Sequence, residues 1–174
     1  MIFKKNIMIF KKKMLLKKMN NTQKDFDINR YLGTWYEIAK NDLVVKFLEK
    51  DCSFAEAHYT WDEKNEVMLI RNTCLDTNRK IKRESFGSAR VSNPLDKSKL
   101  KVKFSGPEAW PGEGEYNVHW TDYDNYSIVG GGQLVWILSR NPRIPKEDVS
   151  MLLNKIKSFG YNPDKLLSNK KLLY

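Results

Sequence analysis

The six residues KLKVKF, numbered 99 to 104, alternate lysine with an apolar side chain. Successive side chains of a strand point to opposite faces, so Leu100, Val102 and Phe104 lie on one buried face while the lysines face water. Residues 115–120, EYNVHW, repeat the pattern with larger apolar residues. The sequence therefore predicts two half-buried β-strands here.

Six further stretches read as strands and are separated by short runs of turn residues such as Asp, Asn, Gly and Pro. Short polar connections between successive strands favour an up-and-down meander. Eight such strands close naturally into an all-β antiparallel barrel that can hold one small ligand. The six additional stretches are Trp35–Lys40, Ser53–Trp61, Val67–Thr73, Lys80–Val91, Tyr126–Gly130 and Leu134–Arg140.

One helix is predicted after the last strand. Pro145 sits near its start, Glu147 and Asp148 suit its positive N-terminal dipole, and Gly160 ends it. Its apolar residues recur at helical spacing and form a single stripe. We therefore expect the helix to pack outside the barrel, against the outward side chains of Val135 and Ile137.

The chain has 174 residues, which is the size of one domain, and a formal net charge of +10. Residues 1–20 contain seven of the 31 lysines and arginines and none of the 21 acidic residues, so the remaining residues carry an excess of only three positive charges. The basic character belongs to the N-terminal segment. We therefore predict no nucleic-acid partner for the folded body.

Residues 1–28 read as a basic leader, disordered in solution, and residues 29–174 as the folded domain with its helix and tail. Lysine clusters that alternate with Ile, Met, Phe and Leu leave a second interpretation open, a helix lying on an anionic membrane surface. No window reaches the length of a membrane-spanning helix. Lysines interrupt every candidate signal-peptide core, and no cysteine near the start could carry a lipid anchor.

Three motifs around these strands resemble those of the lipocalins. Gly33-Thr34-Trp35 resembles the family's first motif, Thr121-Asp122-Tyr123 its second, and Arg140 its third. The stretches 30–39 and 136–142 are similar in particular to the bacterial outer-membrane lipocalins and apolipoprotein D. The resemblance covers about residues 29–167 and implies an eight-stranded barrel with one helix outside.

The motif residues have a physical role that can be stated independently. Trp35 is large enough to plug the closed end of a barrel, and the Arg140 guanidinium can stack on an indole face while it donates hydrogen bonds to carbonyls. Gly33 permits a backbone conformation or a close approach that a side chain would block. We expect all of these residues to be structural.

The inward faces are the expected ligand site. Small side chains at Ala55, Ala57, Gly87 and Ala89 leave space lined by aromatic residues, although a solidly packed barrel is the alternative. Tyr59, Asn72 and Tyr116 would orient a polar head group. Alternation and the resemblance together assign the lining to Ala57, Tyr59, Ile70, Asn72, Gly87, Ala89, Leu100, Val102, Phe104, Tyr116, Val118, Trp120, Leu134 and Trp136.

Cys52 and Cys74 flank the turn at residues 62–65 almost symmetrically, so hairpin pairing brings them together. We favour a disulfide, with two reduced cysteines and a catalytic thiol as the alternatives, because the register is uncertain by one residue. His58 and His119 fall on the outer face and are expected to be solvated. Neither has partners at metal spacing or in a catalytic triad, so we predict no metal, cofactor or catalytic residue.

The function that this reading predicts is to bind and carry or store a small hydrophobic molecule, a fatty acid or lysophospholipid, in membrane lipid maintenance. We expect a monomer or weak dimer. One alternative is a lipocalin-fold enzyme that uses a cavity cysteine, and another is a peripheral binder of anionic membranes through the leader. The resemblance implies the cell envelope, the outer membrane or periplasm, which the missing signal peptide does not support.

Overall fold

The computed structural model describes residue 12 and residues 21–78, 80–106, 109 and 111–168. The alternating stretches form eight antiparallel strands that pair in chain order, and β1 also pairs with both β8 and β2, which closes the sheet. The all-β up-and-down barrel is thereby confirmed. The strands are β1 (Gly33–Asn41), β2 (Cys52–Asp62), β3 (Val67–Asp76), β4 (Ile81–Val91), β5 (Lys99–Ser105), β6 (Gly114–Thr121), β7 (Tyr126–Gly131) and β8 (Leu134–Ser139).

Several shorter elements were not predicted. A one-turn helix α1 (Ile28–Tyr31) precedes β1, and a helix α2 (Asp42–Phe47) follows it. After the C-terminal helix α3 (Lys146–Ser158), a 3₁₀ turn (Pro163–Lys165) leads into β9 (Leu166–Ser168). Strand β9 pairs with β1 beside β8, outside the closed barrel. None of the helices in the described residues is long and apolar enough to span a lipid bilayer.

Helix α3 packs on the outside of the barrel, as predicted. Leu152 and Ile156 are its buried residues, and they belong to one cluster with Val135 and Ile137 of β8. Strand β8 is therefore apolar on both faces, because one face meets the helix and the other meets the barrel interior. A second cluster fills the interior around Trp35, Met68, Leu100 and Val118, all fully buried.

The segment before α1 is bonded to the barrel wall. The backbone N–H of Gln23 donates to the carbonyl of Val118 at 2.8 Å. Phe26 is buried, and its ring centroid lies 5.1 Å from that of Tyr31 and 6.1 Å from that of Tyr123. Contact with the barrel thus begins at Asn21, within the stretch that the sequence assigned to the leader. Apart from Lys12, residues 1–20 lie outside the described residues.

Arg140 and Trp35 meet at the closed end of the barrel. The guanidinium carbon lies 3.7 Å from the centroid of the indole ring. Its N–H groups donate to three carbonyls from three segments, those of Tyr123, Thr34 and Arg30, at 2.9–3.1 Å. The cation–π contact and these hydrogen bonds tie α1, β1 and the β6–β7 turn to the end of β8.

Gly33 is required beside this contact. Its φ is +94°, a conformation that favours glycine, and a Cβ there would lie 3.3 Å from Nη1 of Arg140. The second motif forms the adjoining turn, in which Asp122 accepts from the backbone N–H groups of Asn125 and Tyr126 at 2.8 Å. Thr121 Oγ1 donates to the carbonyl of Tyr126. These residues are structural in this arrangement.

Truncating Trp35 or Arg140 to alanine tests the closed-end contact. We expect Trp35→Ala to lower the free energy of unfolding by about 3–5 kcal/mol, because it deletes a large buried side chain, and Arg140→Ala to cost less. The double variant should lose about 0.5–2 kcal/mol less than the sum, since each single change already breaks the shared contact. Urea unfolding of the four proteins measures this coupling, and strict additivity would contradict it.

Candidate functional site

The barrel interior changes from packed to accessible along its axis. Five residues of the predicted lining are fully enclosed in the interior cluster, and five more pack against that cluster but keep partial exposure. Side chains that face the axis reach solvent only through the barrel interior or its mouth, so water enters from one end. The enclosed group is Tyr59, Ile70, Ala89, Leu100 and Val118, and the accessible group is Ala57, Val102, Phe104, Tyr116 and Trp136.

Access is from the end opposite to Trp35, which we call the open end. The connection over residues 42–51 and the β7–β8 turn lie there, because β1 ends and β8 begins at that side. Leu134, beside that turn, is half-buried and pairs with Gly131. Asn72 is half-buried as well, and its Oδ1 is a buried atom for which the described residues supply no hydrogen-bond partner.

The prediction that Trp120 faces the interior is wrong. A bulge between Val118 and Trp120 shifts the pairing of β6 with β7 and reverses the alternation beyond it. Trp120 therefore packs with the outer cluster, and the Lys155 ammonium of α3 lies 3.9 Å from its ring centroid. Val118, on the near side of the bulge, stays inside.

Gly87 contributes a close approach rather than free space. A Cβ at this position would come within 2.9 Å of the Phe104 ring and 2.6 Å of the Lys103 carbonyl oxygen. The volume that the glycine leaves is thus taken by its neighbours on β5. The same alternation that gave Tyr59 and Ile70 also places Trp61 and Met68 in the interior cluster, and sequence reasoning passed over both.

Three tyrosine hydroxyls form a chain across the interior. Tyr116 lies 3.0 Å from the hydroxyls of both Tyr59 and Tyr31, and Tyr31 continues the chain to the hydroxyl of Ser127 at 3.0 Å. Burial raises the pKa of Tyr59 to about 12 and raises the pKa of Tyr31 and Tyr116 well above the usual tyrosine value. All three therefore stay neutral near pH 7 and can both donate and accept hydrogen bonds.

A charged triad lies closer to the open end. The Lys40 ammonium is 2.8 Å from the Glu37 carboxyl and 2.5 Å from the Glu49 carboxylate. Lys40 pairs across the barrel wall with Trp136, whose indole N–H donates to Glu49 at 3.0 Å. The third donor position of Lys40 is filled by the carbonyl of Cys52 at 3.2 Å. The triad is thus fully hydrogen-bonded.

Burial and the charge of Glu49 raise the pKa of Glu37 to about 8, although Lys40 partly opposes this. Burial by itself would lower the Lys40 pKa, but the two carboxyl groups outweigh it and the Lys40 pKa is raised. Near pH 7 the triad therefore holds a protonated Glu37, a charged Lys40 and a charged Glu49. Its net charge is close to zero, which limits the cost of burying it.

The sequence carried only part of the signal for this triad. Glu37 shares the parity of Trp35 on β1, so alternation alone places it inside. Lys40 turns inward because β1 is irregular between Glu37 and Ala39. Glu49 arrives from the α2–β2 connection, and no periodic pattern predicts where its side chain points.

The prediction of two solvated histidines holds for one of them. His58 is exposed and lies 3.0 Å from the Thr34 hydroxyl. His119 is only 2% exposed, so that prediction is wrong. Its ring lies on the outer face but is covered by the N-terminal segment and the chain after α3, with Nδ1 2.6 Å from the Asn21 carbonyl and Nε2 2.9 Å from the Tyr161 hydroxyl. Burial lowers its pKa.

The predicted disulfide between Cys52 and Cys74 is confirmed. It joins the first turn of β2 to the end of β3 at the open end, with a Cα–Cα distance of 5.6 Å. These are the only two cysteines of the sequence. The thiol nucleophile that the enzyme alternative required is therefore held in a disulfide.

Comparison with known proteins agrees with this architecture. A family model described as a lipocalin-like domain matches residues 26–171. This chain belongs to the lipocalin family. Apolipoprotein D of Bos taurus is 33% identical to it over 160 residues, which span 83% of this chain and 76% of that protein.

Two solved lipocalin-fold structures show the same likeness of fold. Insecticyanin from the tobacco hornworm Manduca sexta superimposes with a TM-score of 0.68 at 23% identity, covering 88% of this chain and 87% of its own. The amine-binding protein of Rhodnius prolixus, solved with tryptamine, gives 0.64 at 19% identity, with coverages of 87% and 85%. Lipocalins bind small hydrophobic ligands, and the relatives of this lipocalin are binding and transport proteins.

The raised pKa of Glu37 makes stability depend on pH. Between about pH 5 and 8 the folded state holds a proton on Glu37 that the unfolded state has lost, so stability falls as pH rises and levels off above 8. Glu37→Gln removes this titration and should flatten the decline by up to about 1.4 kcal/mol per pH unit. Urea unfolding at several pH values measures the slope.

Lys40, Glu49 and Tyr59 also face this site, and Lys40 and Tyr59 stay in one protonation state over that range. His119 titrates equally in both proteins, so the difference between them isolates Glu37. Glu63→Gln, at an exposed turn position, is the matched control and should keep the wild-type slope. Identical slopes for Glu37→Gln and the wild type would contradict the buried proton.

Proposed function

We propose that this lipocalin binds and carries a fatty acid or lysophospholipid in its barrel, as a monomer, in the maintenance of membrane lipids. The observation that carries the proposal is the accessible half of the interior, an apolar wall beside a small set of polar groups. Ala57, Val102, Phe104 and Trp136 supply partly exposed apolar surface that faces the axis. An elongated apolar chain is the ligand shape that suits such a wall.

The energetics of this binding come from burial. Each CH₂ removed from water contributes about 0.8 kcal/mol, so a chain of about ten groups contributes roughly 8 kcal/mol before ordering costs. That is the scale of micromolar affinity. The apolar wall thus supplies affinity without any covalent chemistry.

Polar groups at the same site would orient a head group. The hydroxyls of Tyr59 and Tyr116 can donate or accept, and the Oδ1 of Asn72 is an acceptor without a partner among the described residues. A ligand hydroxyl or phosphoester oxygen would complete these hydrogen bonds. Buried polar atoms that lack partners are costly, so a ligand that satisfies them gains specificity.

Adding bulk to the wall tests the proposal. Ala57→Trp should reduce the affinity for dodecanoic acid at least tenfold, because the indole fills the space beside the opposed positions Trp35 and Asn72. Displacement of the neutral fluorophore Nile red reports binding. Thr60→Trp, at an exposed outward position of the same strand, is the control and should bind normally. Unchanged affinity in a folded Ala57→Trp protein would count against an interior site.

The lysine-rich residues 1–20 support a further partner, the surface of an anionic membrane. Deleting residues 1–20 should weaken binding to vesicles that contain phosphatidylserine, with a difference that shrinks as salt rises. Ligand affinity should stay unchanged, because the barrel contacts of residues 21–27 are retained. Equal vesicle binding by both proteins in a sedimentation assay would contradict the proposed role.

A further inference from the structure

The carboxylate of Glu49 occupies an anion-binding position inside the barrel. One of its oxygens accepts from the Lys40 ammonium at 2.5 Å and the other from the Trp136 indole N–H at 3.0 Å. Lys40 and Trp136 are paired residues of adjacent strands, so their two donors are fixed relative to each other. The wall therefore presents a preformed pair of donors that matches the two oxygens of a carboxylate.

Glu49 itself is not part of that wall. It lies on the connection between α2 and β2, and its side chain is 23% exposed, against 7% for Lys40 and 8% for Glu37. Its backbone N–H is bonded to the carbonyl of Val44 at 3.0 Å. Rotation of the side chain alone would withdraw the carboxylate to solvent while this backbone bond stays intact. Of the three charged residues, Glu49 is the one that can leave.

Departure of Glu49 would leave two donors without acceptors. Trp136 would lose the one acceptor of its N–H, and Lys40 would keep only Glu37 and the carbonyl of Cys52. Buried donors without acceptors are costly, so the vacated position favours a replacement. A ligand carboxylate would restore both hydrogen bonds and leave the interior charge unchanged, whereas an alcohol restores the bonds without the charge.

We propose that Lys40 and Trp136 form the head-group subsite for a ligand carboxylate, and that Glu49 is an internal occupant which the ligand displaces. This inference rests on the proposed function, since it names the head group that the apolar site takes. It makes Glu49 a determinant of affinity and Lys40 a determinant of specificity. The ligand class is a long-chain carboxylic acid in its ionised form.

Glu37 is compatible with this exchange. Because it retains a proton near pH 7, the ligand faces one charged lysine and no second carboxylate once Glu49 has left. The nearby tyrosine hydroxyls are neutral in the same range. Among the described groups of the triad and the tyrosine chain, the only charge that faces an entering carboxylate is therefore positive.

The test uses three full-length proteins that all carry Glu37→Gln, so that no carboxyl except Glu49 titrates in the triad. The first keeps Lys40 and Glu49, the second adds Glu49→Gln, and the third adds Lys40→Met to the second. Displacement of Nile red near pH 6.5 gives the affinity for dodecanoic acid, 1-dodecanol and dodecylamine. Circular dichroism and urea unfolding check that each barrel is folded.

We expect Glu49→Gln to raise the affinity for dodecanoic acid about tenfold, because the competing carboxylate is gone. The affinity for 1-dodecanol should change less than about twofold in the same protein. Lys40→Met should then abolish the preference for the acid over the alcohol. Glu63→Gln in the Glu37→Gln background makes the same change in net charge at a distant exposed position and should leave all affinities unaltered.

Each contrary outcome has a distinct meaning. If acid and alcohol bind but Glu49→Gln shifts both equally or neither, the subsite proposal is overturned while the proposed function stands. If dodecylamine binds best and Glu49→Gln weakens it, the triad is a cation site and the subsite proposal is again wrong. If none of the three compounds displaces Nile red from the wild type, the proposed function itself fails.

Discussion

The contact between the Arg140 guanidinium and the Trp35 indole fixes the geometry on which the barrel depends. The arginine follows the last barrel strand and the tryptophan opens the first, so their stacking joins the two ends of the meander where the sheet must close. Trp35 also donates its indole N–H to the carbonyl of Tyr31 at 2.8 Å, which draws α1 across the same end. Closure and sealing of the barrel thus follow from one cluster of side chains.

Much of this architecture was predictable because it repeats. Alternation gave the eight strands, helical spacing gave α3 and its contact with β8, and symmetry about a turn gave the disulfide. Prediction failed where a single residue broke the repeat. The bulge before Trp120 moved one predicted lining residue outside, and its effect on side-chain direction cannot be read from composition. His119 was misjudged because distant segments cover it.

The interior combines two environments that sequence patterns treat as opposites. Apolar strands build a wall suited to a hydrophobic chain, yet Glu37, Lys40 and Glu49 place a charge-compensated group within it. Compensation is what makes this arrangement stable, since an isolated buried charge would cost several kcal/mol or more. Polarity in this barrel is concentrated in a few mutually satisfied groups, and the apolar wall remains continuous around them.

Sealing one end of a barrel also sets how cargo is exchanged. Anything held above Trp35 has a single doorway, past the α2–β2 connection that carries Glu49, because α1 and Arg140 close the far side. Loading and unloading then share one transition state. Changes in that doorway alter residence time, whereas changes in the wall alter equilibrium occupancy, so a carrier of this design can tune speed and capacity on separate parts of its chain.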